Sequence, residues 1–182
     1  MKKVLYILGD LSDSDIEWIA GVGKKVQFAK GNNLFQEGSE VPAFSIVLAG
    51  KCDVIIGGNE IGEIGQGDII GEIALIDPRP ASATIRASQE TITLNIAIKT
   101  LREKLDRDDG FSLRLHRAIA SFLANRLRNT NLYIAHGKGV NYDANLDDNN
   151  DLDELDESIL ESVSMAGNRF KQIIELINKK TK

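Results

Sequence analysis

The sequence predicts an α+β chain that is mainly β: a β-roll or jelly roll flanked by an N-terminal helix and long C-terminal helices. Three observations predict it. Between Lys24 and Ile98, short apolar runs alternate with turn residues, as at Lys30-Gly31-Asn32-Asn33, Glu37-Gly38, Ala49-Gly50-Lys51 and Gly57-Gly58-Asn59. Such spacing suits short strands that pack into two facing layers. Beyond residue 98 the apolar spacing changes to the helical period. No βαβ unit surrounds Gly65-Gln66-Gly67, so those glycines are turn residues and not a dinucleotide fingerprint.

Taken in order, residues 1–9 read as a short β-rich lead. Ser12 or Asp13 caps a helix through Ile16, Trp18 and Ile19, ending near Gly21-Val22-Gly23. Strands are expected at Lys25–Ala29, Leu34-Phe35, Phe44–Ala49, Val54–Ile56, Glu60–Ile64 and Thr91–Ile98. Cys52 falls in the strand pattern from Val47 to Ile56 and reads as a small core residue. Residues 99–107 read as a short helix and 110–134 as a longer one. On the longer helix Phe111, Leu113, Leu115, Ile119, Ala120, Phe122, Leu123 and Leu127 cover more than half of the wheel, so it must touch two surfaces. Its remaining stripe is Arg114, Arg117, Ser121, Asn125 and Arg128, a solvated face or a partner of the acidic linker.

The organisation follows: a domain over 1–136, an acidic linker over 137–152, and an amphipathic C-terminal helix over 153–182. From Asp143 to Glu157 there are eight acidic residues and no basic one, a charge that suits a helix N-terminus. The final helix carries Ile159, Val163, Ala166, Phe170, Ile173 and Ile177 on one stripe and ends in Lys179-Lys180-Thr181-Lys182. That stripe needs a partner surface, the domain itself or another protein.

Composition narrows the function. A net charge of −5 gives no global basic field for nucleic acid. A single cysteine excludes an internal disulfide framework and fits a reducing cytosol, so a cytoplasmic location is expected. Two histidines, His116 and His136, argue against a metal site or His-based catalysis. No nucleophile–base pair, metal cluster or phosphoryl-transfer motif is present, so neither enzyme activity nor a cofactor is expected. No run approaches the length of a membrane span, and Val4 to Leu8 is too short for a signal-peptide core.

One stretch is more specific than the rest. Gly71-Glu72-Ile73-Ala74-Leu75 opens it and Ser82-Ala83-Thr84-Ile85-Arg86-Ala87 closes it. It resembles the phosphate-binding cassette of cyclic-nucleotide-binding domains, as in the catabolite activator protein, the protein kinase A regulatory subunit and gated ion channels. The resemblance covers roughly residues 10–130 and implies an eight-stranded roll. It implies a cyclic nucleotide as a possible ligand, with Gly71, Glu72, Ile73, Ala74, Arg79, Ala81, Ser82, Ala83 and Thr84 as candidate ligand-binding residues. Glu72 would accept from the ribose 2′-hydroxyl; alternatively it holds the loop by accepting backbone N–H bonds. Ser82 and Ala83 would add a hydroxyl and an N–H to the phosphate.

One residue departs from the pattern. The family places an arginine just before the Ser/Ala-Ala-Thr segment, where this chain has Ala81. Arg79, between Pro78 and Pro80, is the candidate substitute; its alternative is a solvated surface charge. The resemblance also implies a homodimer through the long helix, with Leu115, Ile119, Phe122, Leu123 and Leu127 as candidate interface. A helix buried within one domain by the C-terminal segment is the alternative. The family's transcription factors carry a winged helix-turn-helix after that helix; none is readable here, so specific DNA binding is not expected. The expectation is a non-catalytic regulatory module with weak or lost cyclic nucleotide binding, acting through an unidentified protein partner. The alternative is a genuine sensor of cAMP, cGMP or another nucleotide messenger that uses Glu72 and Arg79.

Overall fold

The computed structural model describes residues 4–136 and 157–180. Two helices, α1 (Val4–Asp10) and α2 (Asp13–Val22), precede the strands. The roll comprises β1 (Lys24–Phe28), β2 (Asn33–Phe35), β3 (Ala43–Ala49), β4 (Lys51–Ile56), β5 (Asn59–Gly65), β6 (Ile69–Ile70), the one-turn helix α3 (Ile73–Ile76), β7 (Thr84–Ala87) and β8 (Thr91–Ala97). Helices α4 (Ile98–Arg107), α5 (Asp109–His136) and α6 (Glu157–Lys180) follow. The strands form two antiparallel four-stranded sheets, β1-β8-β3-β6 and β2-β7-β4-β5. The mainly β class therefore holds. The linker over 137–152 lies outside the described residues, as do both ends of the C-terminal segment.

The central strands of the first sheet, β3 and β8, are buried on both faces, which their sequence pattern explains. On β3, Phe44, Ile46 and Leu48 face the helical layer, whereas Val47 faces the roll interior with Phe35, Cys52, Val54, Ile70 and Ile85. On β8, Leu94 and Ile96 join the helical side, and Thr91 and Thr93 are buried as well. Cys52 is indeed a core residue, fully buried. Burial pushes its thiol up to about 11, against the opposing hydrogen bond with Thr91.

The lead is a helix, not a strand: α1 buries Ile7 and Leu8 against the core shared with α5 and α6. Ser12 caps α2 through a reciprocal capping box with Asp15, whose carboxylate accepts from the Ser12 N–H at 2.8 Å. Asp15 also receives Arg114 Nε at 2.7 Å and Nη2 at 2.9 Å, which ties α2 to α5. Burial opposes ionisation of Asp15, yet Arg114 and Ser12 together hold its carboxyl below the usual range. Arg117 pairs with Asp10 at 3.1 Å. Two arginines of the expected solvated stripe are thus paired with the N-terminal helices.

Helix α6 docks on the domain. Ala166, Phe170, Ile173 and Ile177 are buried in the core that includes α1 and α2. Arg169 donates to the Leu8 and Gly9 carbonyls, both at 2.9 Å, and Lys180 donates to the carbonyls of Ala20 and Gly21. Each cation meets the carbonyl end of a helix, where the helix dipole favours positive charge. The packing of α1 on α5 alters the expected dimer face. Leu115, Ile119 and Phe122 are buried within the chain itself, at 1%, 1% and 7% exposure. Leu123 is half-buried and Leu127 is 61% exposed.

Candidate functional site

The site starts where β6 ends. Gly71 has φ +86°, and a Cβ there would lie 2.5 Å from the Ala43 carbonyl oxygen. Only glycine meets both conditions, and its sharp turn starts α3 directly against β3. Glu72 follows, buried, at the N-cap position of α3. Helix α3 is a single turn, closed by the Asp77 N–H on the Ile73 carbonyl at 2.7 Å. From α4, Arg102 Nη2 donates to the Ala74 carbonyl at 2.8 Å and fixes the turn to the helical layer. The loop then returns to the second sheet. Gly38 N–H donates to the Ala81 carbonyl and Ala81 N–H to the Ser39 carbonyl, both at 2.8 Å, so the backbone at 81 is held from two sides.

These elements enclose a cavity of about 550 Å³. Gly71, Glu72, Ile73, Ala74, Arg79, Ala81, Ser82 and Ala83 are among the residues that line it. Thr84 is not. Its hydroxyl accepts the Glu37 N–H at 2.9 Å, while the Glu37 carboxylate accepts the Gly57 N–H at 2.9 Å. Thr84 therefore ties the cassette exit to the neighbouring turns. The apolar walls come from Phe35, Val41, Val54, Ile64, Ile69, Ile70 and Ile85. The cassette motif does not name them; the inward positions of β4 and β7 would have given Val54 and Ile85 once the register was known. Asp77 is the other residue the sequence reading missed.

Electrostatics decide what the cavity can hold. Two carboxylates, Glu72 and Asp77, are among its lining residues, and Arg79 is the one cation among the described ones. Arg79 does not turn inward. Its Nη2 lies 2.6 Å and its Nε 2.7 Å from Asp77 Oδ2, and its side chain is 84% exposed. The hydrogen bonds from Arg79 hold the Asp77 carboxyl below the usual range, so the pair is fully ionised at neutral pH. In this arrangement an acid two residues before Arg79 captures its guanidinium at the rim, the surface-charge alternative for that residue. A second, more open cavity of about 690 Å³ lies between Glu40–Pro42 and α4, lined by charges of both signs including Lys99, Glu103 and Asp106. It holds none of the cassette.

The fold is thus a roll of two antiparallel sheets, with a short helix and return loop closing a cavity over one of them. Residues 25–108 match the family model described as the cyclic nucleotide-binding domain. That segment of the chain is a domain of the cyclic nucleotide-binding type. Among curated proteins, a cGMP-dependent protein kinase of Toxoplasma gondii is 40% identical over 80 residues, 44% of this chain and 8% of the kinase. Among solved structures, the N-terminal domain of a transcriptional regulator from Streptomyces coelicolor is 29% identical with a TM-score of 0.58, covering 70% of this chain and 94% of that one. The regulatory subunit of a cAMP-independent protein kinase A from Trypanosoma brucei is 26% identical with a TM-score of 0.51, covering 56% and 39%. The chain spans only 8% and 16% of the length of the first two curated relatives it matches. Among the described residues no helix is long and apolar enough to cross a membrane.

Proposed function

We propose that this chain is a non-catalytic, cytoplasmic regulatory module whose cassette has weak or lost affinity for cyclic nucleotides and which acts through protein–protein contacts. The observation that carries the reading is the charge of the cavity. Ala81 offers a methyl group where the resemblance implies a guanidinium, and Arg79 is held at the rim by Asp77. A cyclic phosphate in the cavity would face Glu72 and Asp77 without an inward cation among the described lining residues. The Trypanosoma relative, described as cAMP-independent, supports a module of this fold that works without that ligand.

Calorimetry of the wild-type protein with cAMP, cGMP and cyclic dinucleotides tests it. No saturable binding below roughly millimolar concentration is expected. Ala81→Arg should then strengthen cAMP binding by about one to three decades, since charge-assisted hydrogen bonds contribute roughly 1.5–3 kcal/mol each. Micromolar binding by wild type that Arg79→Ala abolishes would establish the sensor reading instead. For assembly, we propose a homodimer along the part of α5 that α1 and α4 leave open. Leu113, Ala120, Ala124 and Leu127 form that stripe, with Leu113 at 72% and Leu127 at 61% exposure. Light scattering should give a dimer that Leu127→Glu converts to monomer; a wild-type monomer at micromolar concentration would refute it.

A further inference from the structure

We propose that the free edge of β5 takes an extended, basic segment of a partner protein as an added strand. The inference rests on the reading above, that the module acts through protein–protein contacts, and names the surface and the chemistry of one partner.

The backbone supplies the first part of the argument. β5 ends its sheet and pairs with β4 alone. Gly65 donates its N–H to Asp68 Oδ2 at 2.8 Å and accepts the Asp68 N–H at 3.0 Å, so both of its backbone groups turn away from β4. In an antiparallel ladder that direction alternates from residue to residue, and the register is regular from Gly65 to Gly62. Glu63 therefore turns its N–H and C=O outward, to the side where no described strand lies. Beyond it a bulge leaves Ile61 without a cross-strand partner, 56% exposed. An added strand meets a backbone donor and acceptor at Glu63 and an apolar side chain at Ile61, the combination by which a sheet edge binds a peptide. The hairpin that carries them is formed in advance. Gly57 and Gly58, both at positive φ, make its two-residue turn, and the Glu37 carboxylate accepts the Gly57 N–H at 2.9 Å. Little ordering is left for the moment of binding.

Charge supplies the second part. Exposed edges are commonly guarded by charge, and the guard here has one sign. Asn59-Glu60-Ile61-Gly62-Glu63-Ile64-Gly65 holds two glutamates and no lysine. A second β5 laid against this one brings like charges together, on a chain whose net charge is already −5. A segment with lysines at alternate positions meets the opposite sign. Glu63 lies 2.7 Å from Lys51 Nζ, but both side chains are about half exposed. Such a pair exchanges for a partner's lysine at little cost.

Amide NMR shifts of the full chain, titrated with a blocked peptide of alternating lysine and valine, are the test; the glutamate–valine peptide is the control. The lysine peptide should shift the amides of residues 59–65 and bind at least about tenfold more tightly than the control. Methylating every second backbone nitrogen of the peptide should weaken it at least about tenfold in one of the two frames, with the protein unchanged. Glu63→Pro removes the outward N–H and should do the same. Glu60→Lys with Glu63→Lys should reverse the preference toward the glutamate peptide. Shifts confined to other surfaces, or none, overturn the inference and leave the protein-contact reading standing. Undiminished affinity in both methylated frames reduces the binding to charge alone and also overturns it. So does a change in the 59–65 amides on dilution without peptide, which places a second copy on the edge. Micromolar cAMP binding by wild type overturns the reading above without touching this edge.

Discussion

Arg169 offers the sharpest test of how the C-terminal helix is held. Its guanidinium donates to the Leu8 and Gly9 carbonyls at 2.9 Å each and lies 3.2 Å from Asp13. The Asp13 side chain is 78% exposed, so that ion pair contributes little. The carbonyl bonds matter more, because the Arg169 side chain is only 14% exposed and water does not readily replace it. Arg169→Ala leaves two carbonyls at the end of α1 without their donor, at roughly 1–3 kcal/mol for each unsatisfied group. Partial rehydration lowers the total to about 2–4 kcal/mol. Phe170→Ala, one residue on and 6% exposed, should cost about 3–5 kcal/mol as a cavity. Lys180→Ala should cost under about 1 kcal/mol, since Gly21 is exposed and water takes over. Urea unfolding ranks the three, and hydrogen exchange locates the effect. Amides of α6 from 166 to 177 should lose protection in Arg169→Ala while those of β4 keep theirs. An Arg169→Ala protein no less stable than Lys180→Ala, or with unchanged α6 protection, would refute the view that this cation fastens α6 to α1.

Three further outcomes are expected. Gly71→Ala should destabilise the domain by about 2–3 kcal/mol, from positive φ and the 2.5 Å approach to the Ala43 carbonyl, measured by urea unfolding. Acid stability should depend on Asp15: its folded-state carboxyl titrates below its unfolded value, so its stabilisation is present above the unfolded value near 3.9 and is lost as pH falls through the folded one. Asp15→Asn should therefore flatten the stability profile below about pH 5, and an unchanged slope would contradict the Arg114 pairing. Cys52, buried and shifted to about 11, should resist alkylation at pH 8 until the protein unfolds; labelling of the native protein at the rate of a free thiol would count against its place in the core.

What was legible in the sequence depended on how local the determinant is. The cap at Ser12 was readable because both halves of the box lie within four residues. The cassette was readable because its residues run contiguously from Gly71 to Ala87, so the motif stands without knowledge of what packs on it. The lead was misread as β because five apolar residues, Val4 to Leu8, are too few to separate a period of 2 from one of 3.6. It becomes a helix by packing on α5 and α6, more than a hundred residues away. The breadth of the apolar arc on α5 was also readable, but not its partner. A helical wheel counts buried surface without naming its neighbour, and α1 takes much of what a second subunit was expected to cover.

The two residues at the centre of the functional question differ in the same way. Ala81 is informative in sequence because it lacks a group: no rotamer of alanine carries a charge. Arg79 carries the group, and its meaning depends on direction. Two prolines restrict the backbone around it, but the side chain has four rotatable bonds and follows the nearest strong acceptor. Asp77 is that acceptor, two residues upstream, and its carboxylate accepts the Arg79 backbone N–H at 3.2 Å as well as the guanidinium. The capture is therefore local, with the acid and its turn both within the loop. An exposed pair of this kind is worth little to stability. Its effect is positional: it holds the guanidinium of a lining residue at the rim of the cavity, 84% exposed.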